Sequence, residues 1–203
     1  KDGANKLIDA HRLYDNKQYK SALAGYHETL QSSQDNYIRA EAYQGLARSY
    51  RQQKQYDLYL QNLSLASEII PERYEEELAR ALWQYGSNTQ KAEARQIFLN
   101  QARFSGEAQR YLSEIADKDH SPEKSREHFE QALSLLKKDY MLRNDPDGKR
   151  ALNIAQMLYF TQDTLKDCKQ SEHWYRKAID KGLTRAAYEL ATLWQECAPQ
   201  KRS

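Results

Sequence analysis

The residues able to do chemistry are few and scattered. Histidines stand at positions 11, 27, 120, 128 and 173. His27-Glu28 begins like the zinc-protease motif H-E-x-x-H, in which two histidines one helical turn apart hold the metal and the glutamate acts as base. Gln31 occupies the place of the second histidine, so that ligand is missing. Asp117-Lys118-Asp119-His120 offers oxygen and imidazole donors in an expected loop. A weak cation site and a solvated turn are its two readings, and protein metal sites normally need more converging ligands. Glu75-Glu76-Glu77 is a carboxylate run expected at a helix start, where negative charge complements the helix dipole. A catalytic acid pair needs burial and converging geometry, and nothing in the run supplies either. No glycine-rich phosphate loop occurs, and no nucleophile-base-orienter set can be assembled. The expectation is a chain with no catalytic residue, no metal and no cofactor, hence not an enzyme.

The elements that would position any site follow a repeated helical pattern. One signature is a residue, two more, Leu-Ala, two more, and a large apolar residue. It occurs as Tyr43-Leu46-Ala47-Tyr50, Glu75-Leu78-Ala79-Leu82, Ala108-Tyr111-Leu112-Ile115, Ala151-Ile154-Ala155-Leu158 and Ala187-Leu190-Ala191-Trp194. The other is a small residue, an aromatic four positions on and a small residue three further. It occurs as Ala22-Tyr26-Thr29, Ala94-Phe98-Gln101, Ser125-Phe129-Ala132 and Ser171-Tyr175-Ala178, with Tyr59-Leu63-Ala66 as a degenerate copy. Both have the spacing of one helix face. Two such helices in a period of roughly 34–40 residues mark an α-solenoid.

Helix pairs are therefore expected at 4–15 with 18–32, 37–53 with 56–70, 72–86 with 90–103, 106–117 with 122–142, and 149–161 with 168–181. A single helix, 184–197, would cover the open end, and a frayed tail would run from Pro199 to Ser203. Pro71 closes the second pair. Ser121 and Pro122 suit an N-cap and first helical position, Asn144-Asp145-Pro146-Asp147-Gly148 a loop, and Gly182 a C-cap. Ala47, Ala79, Ala155 and Ala191 should be contact points between helices. Tyr50, Phe98, Phe129, Tyr175 and Trp194 should lie between layers.

Composition agrees with such a chain. Of 203 residues, 39% are hydrophobic, which suits an elongated stack better than a compact globule. Valine is absent, so strand formers are scarce. Net charge is +2 with both signs interspersed, unlike the clustered basic stripe of a nucleic-acid binder. No apolar run is long enough to span a membrane. The chain begins at Lys1 without Met, so removal of a leader or tag is expected, and a signal peptide or lipid anchor could lie upstream. The 15 tyrosines have two readings, layer contacts or a binding groove, since tyrosine favours interfaces.

The cysteines add a constraint. Cys168 should open the second helix of the fifth pair and Cys197 should end the last helix. Antiparallel succession puts those two ends at one edge, within reach of the ~4.4–6.8 Å Cα separation of a disulfide. A bridge and two free thiols both stand as readings; a bridge favours an oxidising compartment.

The first two pairs resemble tetratricopeptide repeats, through Ala10, Tyr19, Ala22 and Tyr26, then Tyr43, Ala47, Tyr50, Tyr56, Ala66 and Pro71. Tyr59, where that pattern wants a small residue, is a departure that implies wider local packing. The last part resembles Sel1-like repeats, through Trp174-Tyr175-Arg176-Lys177-Ala178, Gly182, Ala187, Leu190 and Ala191. Cysteine-rich Sel1-like proteins bridge repeat helices, which supports the Cys168–Cys197 pairing. The resemblance implies an all-α, right-handed α-solenoid of antiparallel helix pairs. It divides into tetratricopeptide-like repeats at 1–71, degenerate repeats at 72–143, a Sel1-like repeat with a terminal capping helix at 144–198, and a flexible tail at 199–203.

In tetratricopeptide stacks the first helix of each pair lines the concave face. By position, that implies His11 and Tyr14, then Gln44, Arg48 and Arg51, then Leu82 and Tyr85 as binding candidates for another protein or a peptide. Arg48 and Arg51, one turn apart, suit a carboxylate or an acidic peptide; solubilising surface charge is the other reading. Leu7 and His11 stand where the carboxylate clamp of some members needs Lys and Asn, so that clamp is not expected. A chain grading between the two repeat types is similar to periplasmic scaffold lipoproteins of bacterial exopolysaccharide secretion. This implies a protein-binding scaffold in the periplasm or at the outer membrane. A secreted Sel1-like effector and a glycan-binding or small-ligand-binding solenoid are the alternatives, with secreted or cytoplasmic location.

Overall fold

A computed structural model describes residues 2–102, 104–160 and 166–197. All regular structure among them is α-helical: α1 Asp2–Asp15, α2 Tyr19–Ser32, α3 Asn36–Gln52, α4 Tyr56–Ile69, α5 Pro71–Tyr85, α6 Asn88–Gln101, α7 Gly106–Lys118, α8 Pro122–Leu142, α9 Lys149–Tyr159, α10 Cys168–Asp180 and α11 Thr184–Cys197. The chain divides into two compact units, 1–100 and 101–203. Consecutive helices from α1 to α5, and again from α7 to α11, pack against one another. The expected tail, Pro199 to Ser203, lies outside the described residues.

Local chemistry sets the helix ends. Asp35, Ser105 and Asp167 are N-caps whose side chains accept from the backbone N–H of Ile38, Ala108 and Gln170. Pro71 and Pro122 sit in the first turns of α5 and α8, where a missing N–H costs nothing. Pro71 thus opens α5 as well as closing the pair before it. Ser121 holds the N-cap position, but its side chain makes no capping hydrogen bond. The turns from α1 to α2, α3 to α4 and α7 to α8 each pass through a left-handed residue, Lys17, Lys54 or His120, with φ of 61°, 59° and 55°. The turn from α10 to α11 uses Gly182 at φ 83°, whose N–H donates to the Ile179 carbonyl. In the break before α9, Asp145 is buried and accepts from the N–H groups of Arg150 and Ala151.

In the first unit Leu7, Ala10, Ala22, Tyr26, Ala42 and Leu46 form one cluster, and Ala40, Ala66 and Tyr74 another. In the second, Phe129 and Ala132 of α8, the apolar face of α9, Trp174, Tyr175 and Ala178 of α10, and Ala186, Leu190 and Leu193 of α11 form a continuous core. The small residues Ala47, Ala79 and Ala155 are fully buried, as are Phe98 and Tyr175. Ala191 and Trp194 are not: both are exposed, and α11 buries Ala186, Leu190 and Leu193 instead. The helix presents two adjacent apolar stripes, and the one through Ala186, Leu190 and Leu193 is the one it buries. Cys168 and Cys197 form a disulfide, with Cα atoms 6.2 Å apart, tying the start of α10 to the end of α11.

Candidate functional site

The first helices of the first unit, α1, α3 and α5, carry a connected row of polar side chains. Glu41, Gln44, Arg48, Arg51 and Gln52 recur at three- and four-residue steps along α3, so they share one face. Each meets a residue one repeat away. His11 Nδ1 of α1 shares a 2.8 Å hydrogen bond with the Tyr26 hydroxyl of α2, and its Nε2 lies 3.9 Å from Glu41 Oε2. Glu41 Oε1 accepts from the Tyr74 hydroxyl at 2.6 Å and forms an ion pair with Arg73 Nη2 at 2.7 Å. Gln44 Nε2 donates to Glu77 Oε2 at 2.6 Å, while Arg48 Nε stands 3.8 Å from Glu77 Oε1.

The carboxylates are recessed and the guanidiniums project. Glu41 and Glu77 side chains are 13% and 21% exposed, Arg48 and Arg73 51% and 47%. A partner approaching this face meets positive charge first. Burial lowers the His11 pKa against the raising pull of Glu41, so the imidazole is neutral at pH 7. Burial above all, and then the neighbouring acids Asp15 and Glu41 and the Tyr14 hydroxyl, push the Tyr26 hydroxyl well above its usual range, keeping it a donor.

At the edge where first helices end and second helices begin, aromatic rings gather. Tyr56 and Tyr85 stack at 4.2 Å between centroids, and Tyr59 meets Tyr85 edge-on. The Arg51 guanidinium lies 5.8 Å from the Tyr59 ring centroid and hydrogen-bonds Tyr85. Tyr14 packs edge-on to Tyr19 and accepts from Gln52 Nε2 at 3.4 Å.

Thus His11, Tyr14, Gln44, Arg48, Arg51 and Tyr85 come together on one face. Leu82 does not join them: it is buried, its side chain spent on packing. Gln44 is also nearly buried, and its amide holds Glu77. Sequence reasoning missed Glu41, Arg73, Tyr74 and Glu77. Because α5 begins at Pro71, Glu75-Glu76-Glu77 is past the first turn, and Glu72 takes the dipole position instead. The available signal was complementarity at a separation of 33 residues, shared by Glu41 with Tyr74 and Gln44 with Glu77. The second unit repeats it: Gln156 Nε2 donates to both oxygens of Glu189, also 33 positions on. Glu189 further accepts from the Tyr175 hydroxyl at 3.0 Å and Arg185 Nε at 2.8 Å.

No cluster of metal-binding side chains occurs among the described residues. Of the segment expected as a loop, Asp117 and Lys118 are the last residues of α7 and only Asp119 and His120 lie in the turn, with the His120 N–H donating to the Asp117 carbonyl. No helix among the described residues is long and apolar enough to cross a membrane.

These paired helices match solved repeat proteins. A thermophilic tetratricopeptide protein of Thermus thermophilus, TTC0263, aligns with a TM-score of 0.60 and 17% identity over 95% of this chain and 99% of its own. PilW, a type IV pilus biogenesis factor, aligns with a TM-score of 0.60 and 15% identity over 100% of this chain and 96% of its own. BtubC from P. vanneervenii aligns with a TM-score of 0.51 and 15% identity over 100% of this chain and 93% of its own. The fold is of the tetratricopeptide type. No family model matches the sequence, and no curated protein is significantly similar to it. At 15–17% identity the likeness to these structures is one of architecture.

Proposed function

We propose that the chain is a non-enzymatic scaffold that holds a protein or peptide along the α1–α3–α5 face of its first unit. The observation that carries this reading is the arrangement of recessed Glu41 and Glu77 beneath projecting Arg48, Arg51 and Arg73. Hydrogen bonds from Tyr74 and Gln44 hold Glu41 and Glu77 before any partner arrives, which lowers the ordering cost of binding. The outward cations suit an acidic segment, whose carboxylates would exchange for the loose contact between Arg48 and Glu77. On this proposal the partner belongs to a bacterial cell-envelope assembly, in the periplasm or at the outer membrane, and exopolysaccharide secretion is its more specific form. The architectural likeness to PilW and the Cys168–Cys197 disulfide support that direction.

The test is in-cell crosslinking of the tagged protein followed by mass spectrometry. One dominant envelope partner is expected, lost in the Arg48→Glu/Arg51→Glu variant. Cytosolic partners, or capture unaffected by that variant, would defeat the reading. A second reading, glycan binding, draws on the Tyr56–Tyr85 stack beside Arg51. Titration calorimetry with polysaccharide fragments separates the two, because only glycan binding produces heat there.

A further inference from the structure

Helix α8 outruns its partner α7. A Cβ added at Gly106, the first residue of α7, would stand 2.8 Å from Leu136 Cγ, so α7 begins level with Leu136. Helix α8 continues to Leu142, about 9 Å further at a rise of about 1.5 Å per residue. One side of this overhang is held, because Tyr140 packs edge-on to Trp174 of α10 at 4.9 Å between centroids. The next two side chains stand clear of the protein, Met141 at 79% and Leu142 at 74% exposure. Phe104, in the turn that leads into α7, is 88% exposed.

Cations surround this tip. Lys177 of α10 lies 5.7 Å from the ring centroids of both Tyr140 and Trp174. The connection from α8 to α9 folds back on the end of α10. A Cβ at Gly148 would meet the Ala178 carbonyl at 2.7 Å and Lys181 Cβ at 3.1 Å. The end of α10 therefore shares one edge with the end of α8. Most acids of that edge are already engaged. Asp139 pairs with Arg143 and Arg150, Asp147 with Lys149, and Glu107 of α7 with Arg110. Asp145 is buried against the first N–H groups of α9. Lys138, Lys177 and Lys181 form no ion pair among the described residues, and only Asp180 is left to offset them.

Projecting apolar side chains on a positive rim fit a surface that is negative outside and apolar beneath. A protein partner would need a shaped pocket for side chains that stand this far out; a bilayer needs none. The unpaired cations are lysines, flexible point charges that stay among phosphates while apolar neighbours sink below them. We propose that this edge of the second unit docks on an anionic phospholipid surface, with Met141 and Leu142 entering the headgroup layer. The chain would lie on the membrane there, since no helix among the described residues is long and apolar enough to cross it.

Cosedimentation of the full chain with lipid vesicles at about 0.1 M salt tests this. Vesicles of phosphatidylcholine with about one-third phosphatidylglycerol should carry the protein down, and pure phosphatidylcholine vesicles should not. Lys138→Ala/Lys181→Ala should weaken partitioning about thirtyfold, at about 1 kcal/mol per lysine. Met141→Ser/Leu142→Ser should weaken it about tenfold. Helix content and Tm should hold in both variants, because all four side chains are exposed. Lys20→Ala/Lys124→Ala removes two other exposed lysines, one in α2 and one at the opposite end of α8, and should change nothing. Absence of binding to the anionic vesicles overturns the inference and leaves the edge to an acidic protein. Binding that either tip variant leaves untouched, or that the control pair weakens equally, overturns it as well.

Discussion

A Cβ at Gly45 would collide with the ring of Tyr26. The fully buried Tyr26 of α2 lies flat on the α3 backbone at Gly45, and its hydroxyl reaches on to His11. The absent side chain of one helix is therefore what seats the aromatic of its neighbour and, through it, a residue of the candidate site. Gly45→Ala gains about 1 kcal/mol of helix propensity but must displace a packed ring, at about 1–3 kcal/mol. Net destabilisation is expected, with a lower Tm. A Tm equal to or above that of the parent protein would contradict the placement of Tyr26.

Position within the repeat predicts opposite outcomes for the same change. Ala155 is fully buried and its carbonyl accepts from Ser171. Ala155→Leu should cost about 1–3 kcal/mol by overpacking. Ala191→Leu, at the matching position of α11, should leave the stability of the monomer nearly unchanged, because that side chain is exposed. Thermal melts of the two variants at low concentration make the comparison.

Glu189 is the acceptor for the buried Tyr175 hydroxyl. Glu189→Ala should destabilise the second unit by about 1–3 kcal/mol, the usual cost of orphaning a buried donor. Arg185→Ala, which removes only an exposed ion pair to the same carboxylate, should cost about 0–1 kcal/mol. Denaturant midpoints that rank these two the other way would refute the assignment.

His11 makes the first unit sensitive to acid. Its folded pKa lies below the ordinary histidine value of 6.5, chiefly through burial, so between the two values the unfolded chain binds the proton more readily. Its contribution is fully present above the ordinary value and is lost as pH falls through the folded one. Glu41, Asp15 and Arg48 are the charges acting on it. Tm measured from about pH 7.5 to about pH 5 should fall, and His11→Asn should flatten that decline. An unchanged profile in the variant would assign the acid sensitivity to other groups.

Reduction should loosen the second unit. The bridge closes a separation of 29 residues around the α10–α11 hairpin, and loss of a native disulfide of that size typically costs about 2–4 kcal/mol. Dithiothreitol and the Cys168→Ser/Cys197→Ser variant should lower Tm alike. Two titratable thiols in the unreduced native protein would dispose of the bridge.

The helices were legible because their signals are local. Three- and four-residue spacing, Pro122, Gly182 and the Asn144–Gly148 break act within a turn or two, and the ends of α8 and α11 follow from them. The edge shared by Cys168 and Cys197 was also legible, since antiparallel succession alone brings those ends together. Periodicity could show that α11 has apolar stripes through Ala186-Leu190-Leu193 and through Ala187-Ala191-Trp194, about one residue's rotation apart. It could not show which one is covered, because that depends on which neighbours are present. Likewise Glu77 looked like one of three equal carboxylates. Its recess became visible only when α5 was set beside α3 with Gln44 and Arg48 opposite. Residue types and their spacing determined which segments are helices and in what order they pair. The tertiary structure decided which charges are held back and which face out, because those contacts join helices a full repeat apart and depend on how each helix is rotated against the next.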